Sequence, residues 1–441
     1  MSGTGAERSS AELWRWPAVA GAAAWAAGLA LAPVRPDPSS TASRLAWPGD
    51  VDSASTVLQV IATASISAVT MTFSLTVVAL QLASQQFSPR LLRDFVQDRH
   101  TKTVLAVMVA AFVFALTSLR GLRADQDVPA YSMVVAYGLG LATVFAFLAF
   151  LGHITRQLRV ETMMRSVHEQ TSAAIQSFYP AYDDSRPRSQ EELDFGDRPV
   201  GVVPVRRSGF VRAIDVEAVV SAAQRRDAVV EVVVRPGDQA VRGTPLARVG
   251  CAPAERAELG EEISDAVTMG YERTIEQDSA FGFRQLTDIA VKAISPSVND
   301  PVTAAHAVGH TADLLVQLTE KRLGGILHTD DDGVGRAVVG DRDLRYYLDL
   351  VCGPVRRFGR TEPTVLMALL RMLRDVASAA RDEGQRAEIE RQVALVSAEV
   401  DASVGESDVA DIGDLADRVH AALRGDVDRA YGDRSGETRP V

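Results

Sequence analysis

From Ser53 to Pro89 the chain contains no Asp, Glu, Lys or Arg. Within that stretch Thr56, Gln59, Thr63, Ser67, Thr70, Ser74, Gln81 and Gln85 recur at steps of three, four or seven residues. Such spacing puts them on one face of a helix. In lipid a hydroxyl or amide stripe needs a polar partner, and two are available. It can bond to a neighbouring helix, or it can face water and solutes in a lumen. Gln59, Thr63, Ser67, Thr70, Ser74 and Gln81 are therefore candidates to line a path, with Gln85, Arg90 and Arg93 at its inner mouth. Hydroxyls coordinate ions weakly and no charged ring lies within the span, so the sequence indicates no ion selectivity.

A second constellation is charged. Thr274-Ile275-Glu276-Gln277-Asp278 leads into Phe281-Gly282-Phe283-Arg284-Gln285-Leu286 and then Asp288. Arg284, Asp288 and Lys292 stand four residues apart, an ion-pair ladder on one helical face. Ser295-Pro296 and Asn299-Asp300-Pro301 follow, with Asp300 placed to cap the next helix and Pro301 to open it. The block reads either as a capped helix-turn-helix or as a cluster. In the cluster reading Glu276, Asp278, Arg284, Gln285, Asp288, Asn299 and Asp300 gather at a membrane inlet or a subunit contact. Buried charges of both signs would require such company.

His306 and His310 share a face at i, i+4 with Asp313 one turn on, a spacing that suits a divalent metal but lacks a third ligand. No metal or cofactor is expected. Asp330-Asp331-Asp332-Gly333 lies between apolar runs near 325–340 and fits a hairpin turn better than a calcium loop, whose other positions are missing. Hydrolase, zinc-protease and nucleotide-loop signatures are absent, which lowers the expectation of an enzyme.

Four apolar stretches must position the first constellation, near 16–33, 55–82, 103–120 and 131–154. Each reaches the length, roughly 20 residues, that a bilayer core requires. Arg90, Arg93, Arg99 and Lys102 precede the third, and Arg156, Arg159 and Arg165 follow the fourth. The positive-inside tendency makes these regions cytoplasmic, and an even number of spans then puts both termini inside. Ala30-Leu31-Ala32 resembles a signal-peptidase site, yet no cationic leader precedes it. Gly21, Ala24 and Gly28, and Ala136 with Gly140, form small-residue faces for helix packing. Ser88-Pro89 opens a short amphipathic helix over Leu91 to Val96 at the inner surface.

The halves differ in charge. Residues 1–158 hold 11 basic and 9 acidic side chains, the remainder 35 and 48. An acidic soluble half repels nucleic acid and anionic headgroups. After the membrane domain, 1–158, a helix and polar linker occupy 159–199 and a small β-module 200–250. A mostly helical bundle then covers 251–431, and 432–441 reads as a disordered tail. Glu231 to Val249, EVVVRPGDQAVRGTPLARV, is similar to half of a biotinyl/lipoyl-type barrel. However, no lysine occurs between Lys102 and Lys292 to carry a cofactor, so a structural role is expected. Cys251 and Cys352 lack paired or metal-ligand spacing, and free thiols are expected.

Phe73-Ser74-Leu75-Thr76, Gln86-Phe87-Ser88-Pro89-Arg90, Glu276 to Asp288, and Ser295-Pro296 with Asn299-Asp300-Pro301 together resemble the bacterial membrane proteins grouped as domain of unknown function 2254. The resemblance runs from about residue 12 to about residue 400. It implies an α-helical inner-membrane protein with four spans and a cytosolic α+β C-terminal domain, and it brings no reaction, ligand or cofactor. The residues themselves favour a homo-oligomeric channel or channel-like transporter for ions or small solutes, lined by the second span. The alternative is a membrane-anchored sensor or scaffold whose cytosolic domain binds a ligand or protein.

Overall fold

A computed structural model describes residues 5–34, 47, 49–86, 99–123, 127–157, 159–184 and 188–432. The chain divides into two compact units, residues 1–163 and 164–441. Arg90, Arg93, the helix expected over Leu91 to Val96 and the tail beyond Gly432 lie outside the described residues.

The first unit is built of four helices: α1 (Gly5–Leu31), α2 (Val51–Gln86), α3 (Arg99–Gly121) and α4 (Ala130–Gln157). Three are long and apolar enough to cross a membrane: Val51–Leu82 of α2, α3 and α4, with mean hydropathies of 1.7, 2.0 and 2.3. The expected fourth span, 16–33, falls on α1, which does not reach that standard. Its apolar run is mostly Ala and Gly, and Arg15 and Pro17 lie inside the helix.

The central helix is α3, packed against α1, α2 and α4. Ala54, Leu58 and Ile61 share one core cluster with Phe114, Ala115 and Met133, while Ala79 shares another with Val104, Met108 and Phe150. α2 therefore runs parallel to α4 and antiparallel to α3. Small residues set the close approaches: a methyl added at Gly28 would lie 2.9 Å from Thr117, and one at Gly140 would lie 3.2 Å from Ile61. Without a hydrophobic drive between helices in lipid, such steric fit is what holds them together.

The second unit opens within α5 (Val160–Phe178), whose first four residues belong to the first unit. A six-stranded sheet follows, in the order β1 (Arg188–Ser189), β8 (Ile326–Thr329), β9 (Gly335–Val339), β4 (Val229–Val232), β6 (Pro245–Gly250), β2 (Val200–Pro204). A three-stranded sheet orders β5 (Gln239–Ala240), β3 (Gly209–Ile214) and β7 (Val267–Gly270). Parallel pairing of β4 with β9, Val230 opposite Ala337, ties the 326–339 hairpin to the strands of 200–250 in one sheet. α6 (Val216–Gln224) and α7 (Arg256–Ala266) cover the Val-rich core of these sheets.

The helical remainder comprises α8 (Ser279–Ala293), α9 (Pro301–Thr319), α10 (Leu344–Phe358), α11 (Pro363–Ala379), α12 (Glu383–Ala398), α13 (Glu406–Leu423) and a short α14 (Val427–Tyr431). Both cysteines are free and buried, and burial pushes the Cys352 thiol up to about 12. In the β8–β9 turn, Asp330 is consumed by its own loop: it accepts from the amides of Asp332 and Val334 and from Arg336 Nε at 2.7 Å. That leaves a hairpin, not a cation loop.

Candidate functional site

In the first unit the stripe on α2 faces outward. Thr56, Gln59, Thr63, Ser67, Thr70, Ser74 and Gln81 are all exposed. The residues of α2 that are buried are Ala54, Leu58, Ile61, Ala62, Ser65, Thr72 and Ala79. At 3.6 residues per turn that face lies about 180° from the stripe. The polar contact inside the unit belongs to the buried face, where Thr72 Oγ1 is 3.7 Å from Met108 Sδ. The stripe is flanked on both sides by exposed Val60, Ile66, Met71, Phe73, Val77 and Val78.

Some stripe donors are satisfied within the helix: Thr56 and Thr70 bond the carbonyls of Asp52 and Ile66 at 2.9 and 3.0 Å, and Gln59 bonds Ser55 at 3.1 Å. Their remaining lone pairs still face away from the unit. Gln85 lies on α2, and its side chain is outside the described atoms, as are Arg90 and Arg93 entirely.

The motif block of the second unit is spread along α8, whose 15 residues extend roughly 22 Å. At the N-terminal end Asp278 is 1% exposed and takes two bonds from Arg273, at 2.9 and 2.6 Å, with Arg342 Nη1 3.5 Å away. Arg342 also donates to the Pro236 carbonyl and to Asp238, at 2.9 and 3.3 Å. Burial pushes the Asp278 carboxyl up, and the two guanidiniums pull it back. Gly237, at φ +89°, leaves the room Asp278 occupies, because a Cβ there would strike the carboxylate.

Glu276 stays exposed, 3.6 Å from Arg212. Along the helix Arg284 and Asp288 form the first rung of the ladder at 3.5 Å, and Gln285 is buried with its amide oxygen lacking a hydrogen-bond partner. Gly282 admits α5, since a Cβ there would overlap Thr171.

At the C-terminal end the Ser295–Pro301 turn is capping structure. Asn299 sits at φ 51° and donates to the Ser295 carbonyl at 2.9 Å, and Asp300 caps α9 by accepting from Thr303 N at 3.0 Å. Glu276 and Asp278 therefore stand at one end of α8, and Asn299 and Asp300 at the other.

Behind Asp278 lies a closed ring of hydroxyls that no motif signalled. Tyr179 Oη, Ser279 Oγ and Tyr347 Oη lie 3.1, 2.7 and 2.8 Å apart, pair by pair. Burial raises both tyrosines well above the usual phenol range. Beside the ring opens a cleft of about 520 Å³, lined among others by Tyr179, Glu217, Gln277, His328 and Asp341. Burial pushes the Asp341 carboxyl up and lowers the His328 imidazole.

His306 is exposed, whereas His310 meets His168 of α5, a residue the sequence did not single out because it stands 142 positions away. Among the described residues no group of three or more His, Cys, Asp or Glu side chains is placed to hold a metal ion.

Comparison with known families matches residues 10–375 to a predicted membrane protein family, DUF2254. The chain belongs to the DUF2254 family. Two relatives, uncharacterised proteins of Mycobacterium tuberculosis and Mycobacterium bovis, are each 31% identical over 396 residues, covering 87% of this chain and 75% of the relative. No solved structure matches the chain. The DUF2254 match spans both units, so the α2 stripe and the α8 block lie in one family region.

Proposed function

We propose that this protein assembles with copies of itself in the membrane through the polar face of α2, and that this face lines a path for ions or small solutes. One observation carries the reading: the stripe lies opposite the packing face of its own helix. Among the described residues of one copy it meets no other helix. In a bilayer an outward polar face gains little from lipid, while identical faces brought together supply one another's partners or enclose water. Four helices are too few to enclose a path alone, so symmetry-related copies are required. Gln59, Thr63, Ser67, Thr70, Ser74 and Gln81 would face the path, with Gln85, Arg90 and Arg93 at its inner end. α1 is the fourth span of this arrangement, which sets both termini and the acidic second unit in the cytoplasm of a bacterial cell.

The test is reconstitution in liposomes with flux of potassium, chloride and glycerol, alongside mass determination in detergent. Self-association with flux that falls when Thr63, Ser67, Thr70 and Ser74 are replaced by alanine supports the reading. A monomer that passes nothing overturns it.

A second reading is favoured by the cleft beside Tyr179 and Asp341: the cytosolic unit senses a small ligand. Its volume of about 520 Å³ suits a metabolite. Thermal stabilisation of the full chain across a metabolite panel, lost in Asp341→Ala, supports sensing; an inert protein counts against it.

A further inference from the structure

α9 presents His310 and Asp313 to α5, and α5 answers with His168. His168 Nε2 lies 3.0 Å from Asp313 Oδ2, and its Nδ1 lies 3.2 Å from His310 Nδ1. The rings meet edge to face, with centroids 5.2 Å apart. The carboxylate accepts only, so Nε2 of His168 carries a proton. The contact between the two Nδ1 atoms then has a strict requirement. Two lone pairs would repel, and two N–H groups would collide, so one proton must stand between them. A neutral His168 receives it from His310 Nδ1–H. A cationic His168 donates it to neutral His310. Either state closes the contact, and a second cationic ring opens it.

We propose that Asp313, His168 and His310 form an acid-released latch between α5 and α9. The groups that act on it can be named. From α5 there are His168 itself and the exposed Arg165–Glu169 pair at 3.2 Å; from α9 there are His306 and Asp313. On the far side of α9, α11 meets it with the thioether of Met372, 3.4 Å from Thr311 Oγ1. Burial first, then His168 and His306, lower the proton affinity of His310, and Asp313 opposes them. A histidine whose folded pKa lies below its ordinary 6.5 contributes stability that is complete above that value and is lost as pH falls through the folded pKa. Acidification is thus the direction that opens the latch.

The rest of the seam does not titrate in that range. Ser172 Oγ is 2.8 Å from Gln317 Oε1, Gln317 Nε2 is 2.8 Å from Asp313, and Thr171 packs on Gly282. The C-terminal half of α5 stays docked, therefore, and the N-terminal half, left with only its buried Met164 and Val167, is what loosens. In the chain that half begins at Val160, three residues after α4 ends at Gln157.

Hydrogen exchange of the full-length protein in detergent micelles, read as protection factors so that intrinsic rates divide out, tests this. Between about pH 7.5 and about pH 5.5 the protection of residues 160–170 is expected to fall, by about tenfold per pH unit once below the pair's pKa, while α11 holds steady. His310→Asn, whose amide donates to His168 without titrating, should abolish the pH response. His168→Ala should leave the segment open at both pH values. The proposal fails if wild-type protection of 160–170 does not change with pH relative to α11, or if His310→Asn keeps the response. It also fails if EDTA alone opens the segment near pH 7.5, because a metal ion would then be the bridge.

Discussion

The polar side chains of α2 and those around α8 obey opposite rules. On α2 they are uncharged, outward and partly satisfied within their own helix; around Asp278 they are charged, buried and paired across three segments of chain. Water would ordinarily sit outside a soluble unit and lipid outside a membrane helix, so each set is on the unexpected side. The difference teaches where to look for function. A buried ionic knot explains itself, because Arg273 and Arg342 answer Asp278 and Asp238 answers Arg342. An outward polar face on a membrane helix meets no partner among the described residues of one copy, and so points beyond it.

The sharpest way to break that contrast is to attack the knot. Asp278→Ala takes both carboxylate bonds from Arg273 and one ionic partner from the buried Arg342, which keeps Asp238 and the Pro236 carbonyl. The expected loss is about 3–5 kcal/mol, a large share of the stability of an ordinary domain. Chemical denaturation followed by far-UV circular dichroism and limited proteolysis measures it. A folded, active-looking variant within 1 kcal/mol of wild type, roughly the scale of surface pairs, would move Asp278 from architecture to function.

Gly282 extends the same comparison to close approach. Gly282→Val forces a branched side chain into Thr171, and overpacking of this kind costs about 1–3 kcal/mol. Its counterpart in the membrane unit is Gly28, where Thr117 stands 2.9 Å from the Cβ position. Gly282→Val should lower the melting temperature of the second unit alone. An unshifted melt would mean that α5 does not hold its place against α8.

The stripe should behave in the opposite manner. Replacing Thr63, Ser67, Thr70 and Ser74 together by alanine removes no contact with another helix among the described residues, so the monomer's stability should change by less than about 0.5 kcal/mol per substitution. Self-association should weaken instead, at about 0.6 kcal/mol per interhelical hydrogen bond lost. Analytical ultracentrifugation in detergent separates the two quantities. Ser65→Val on the buried face is the control: it should perturb folding before it perturbs association. If the stripe variant unfolds while its oligomeric state is unchanged, the contrast between the regions collapses.

Much of this was legible in the chain. The helical period of the stripe, the small-residue face of Gly21 and Gly28, and the caps at Asp300 and Pro301 are local patterns, and local patterns are written in sequence spacing. The orientation of the stripe was not, because a period tells which residues share a face and not which face meets a neighbour. Whether α1 spans is less legible, since Ala and Gly make a run long without making it strongly hydrophobic. Arg342, Tyr347 and His168 escaped notice for another reason. Their partners lie 64, 168 and 142 residues away, and one sequence carries no record of such pairings.

The smallest effect concerns Asp300, and it separates capping from function at the far end of the block. Bonds from the Thr303 side chain and amide hold its carboxyl below the ordinary 3.8. A carboxylate with a lowered folded pKa contributes stability that is complete above 3.8 and is lost as pH falls through the folded value. Asp300→Ala should therefore cost about 1 kcal/mol at neutral pH, the usual worth of an N-cap. The gap between variant and wild type should then close in acid, below the ordinary carboxylate value. Asp300→Ser should restore most of the loss, because a serine hydroxyl caps Thr303 N without a charge. Denaturation midpoints at neutral and acidic pH decide the matter. If Asp300→Ser is as unstable as Asp300→Ala, or if the gap persists unchanged in acid, the carboxylate is doing something other than ending a turn. The C-terminal end of α8 would then join the outward face of α2 as a surface whose purpose lies outside the single copy.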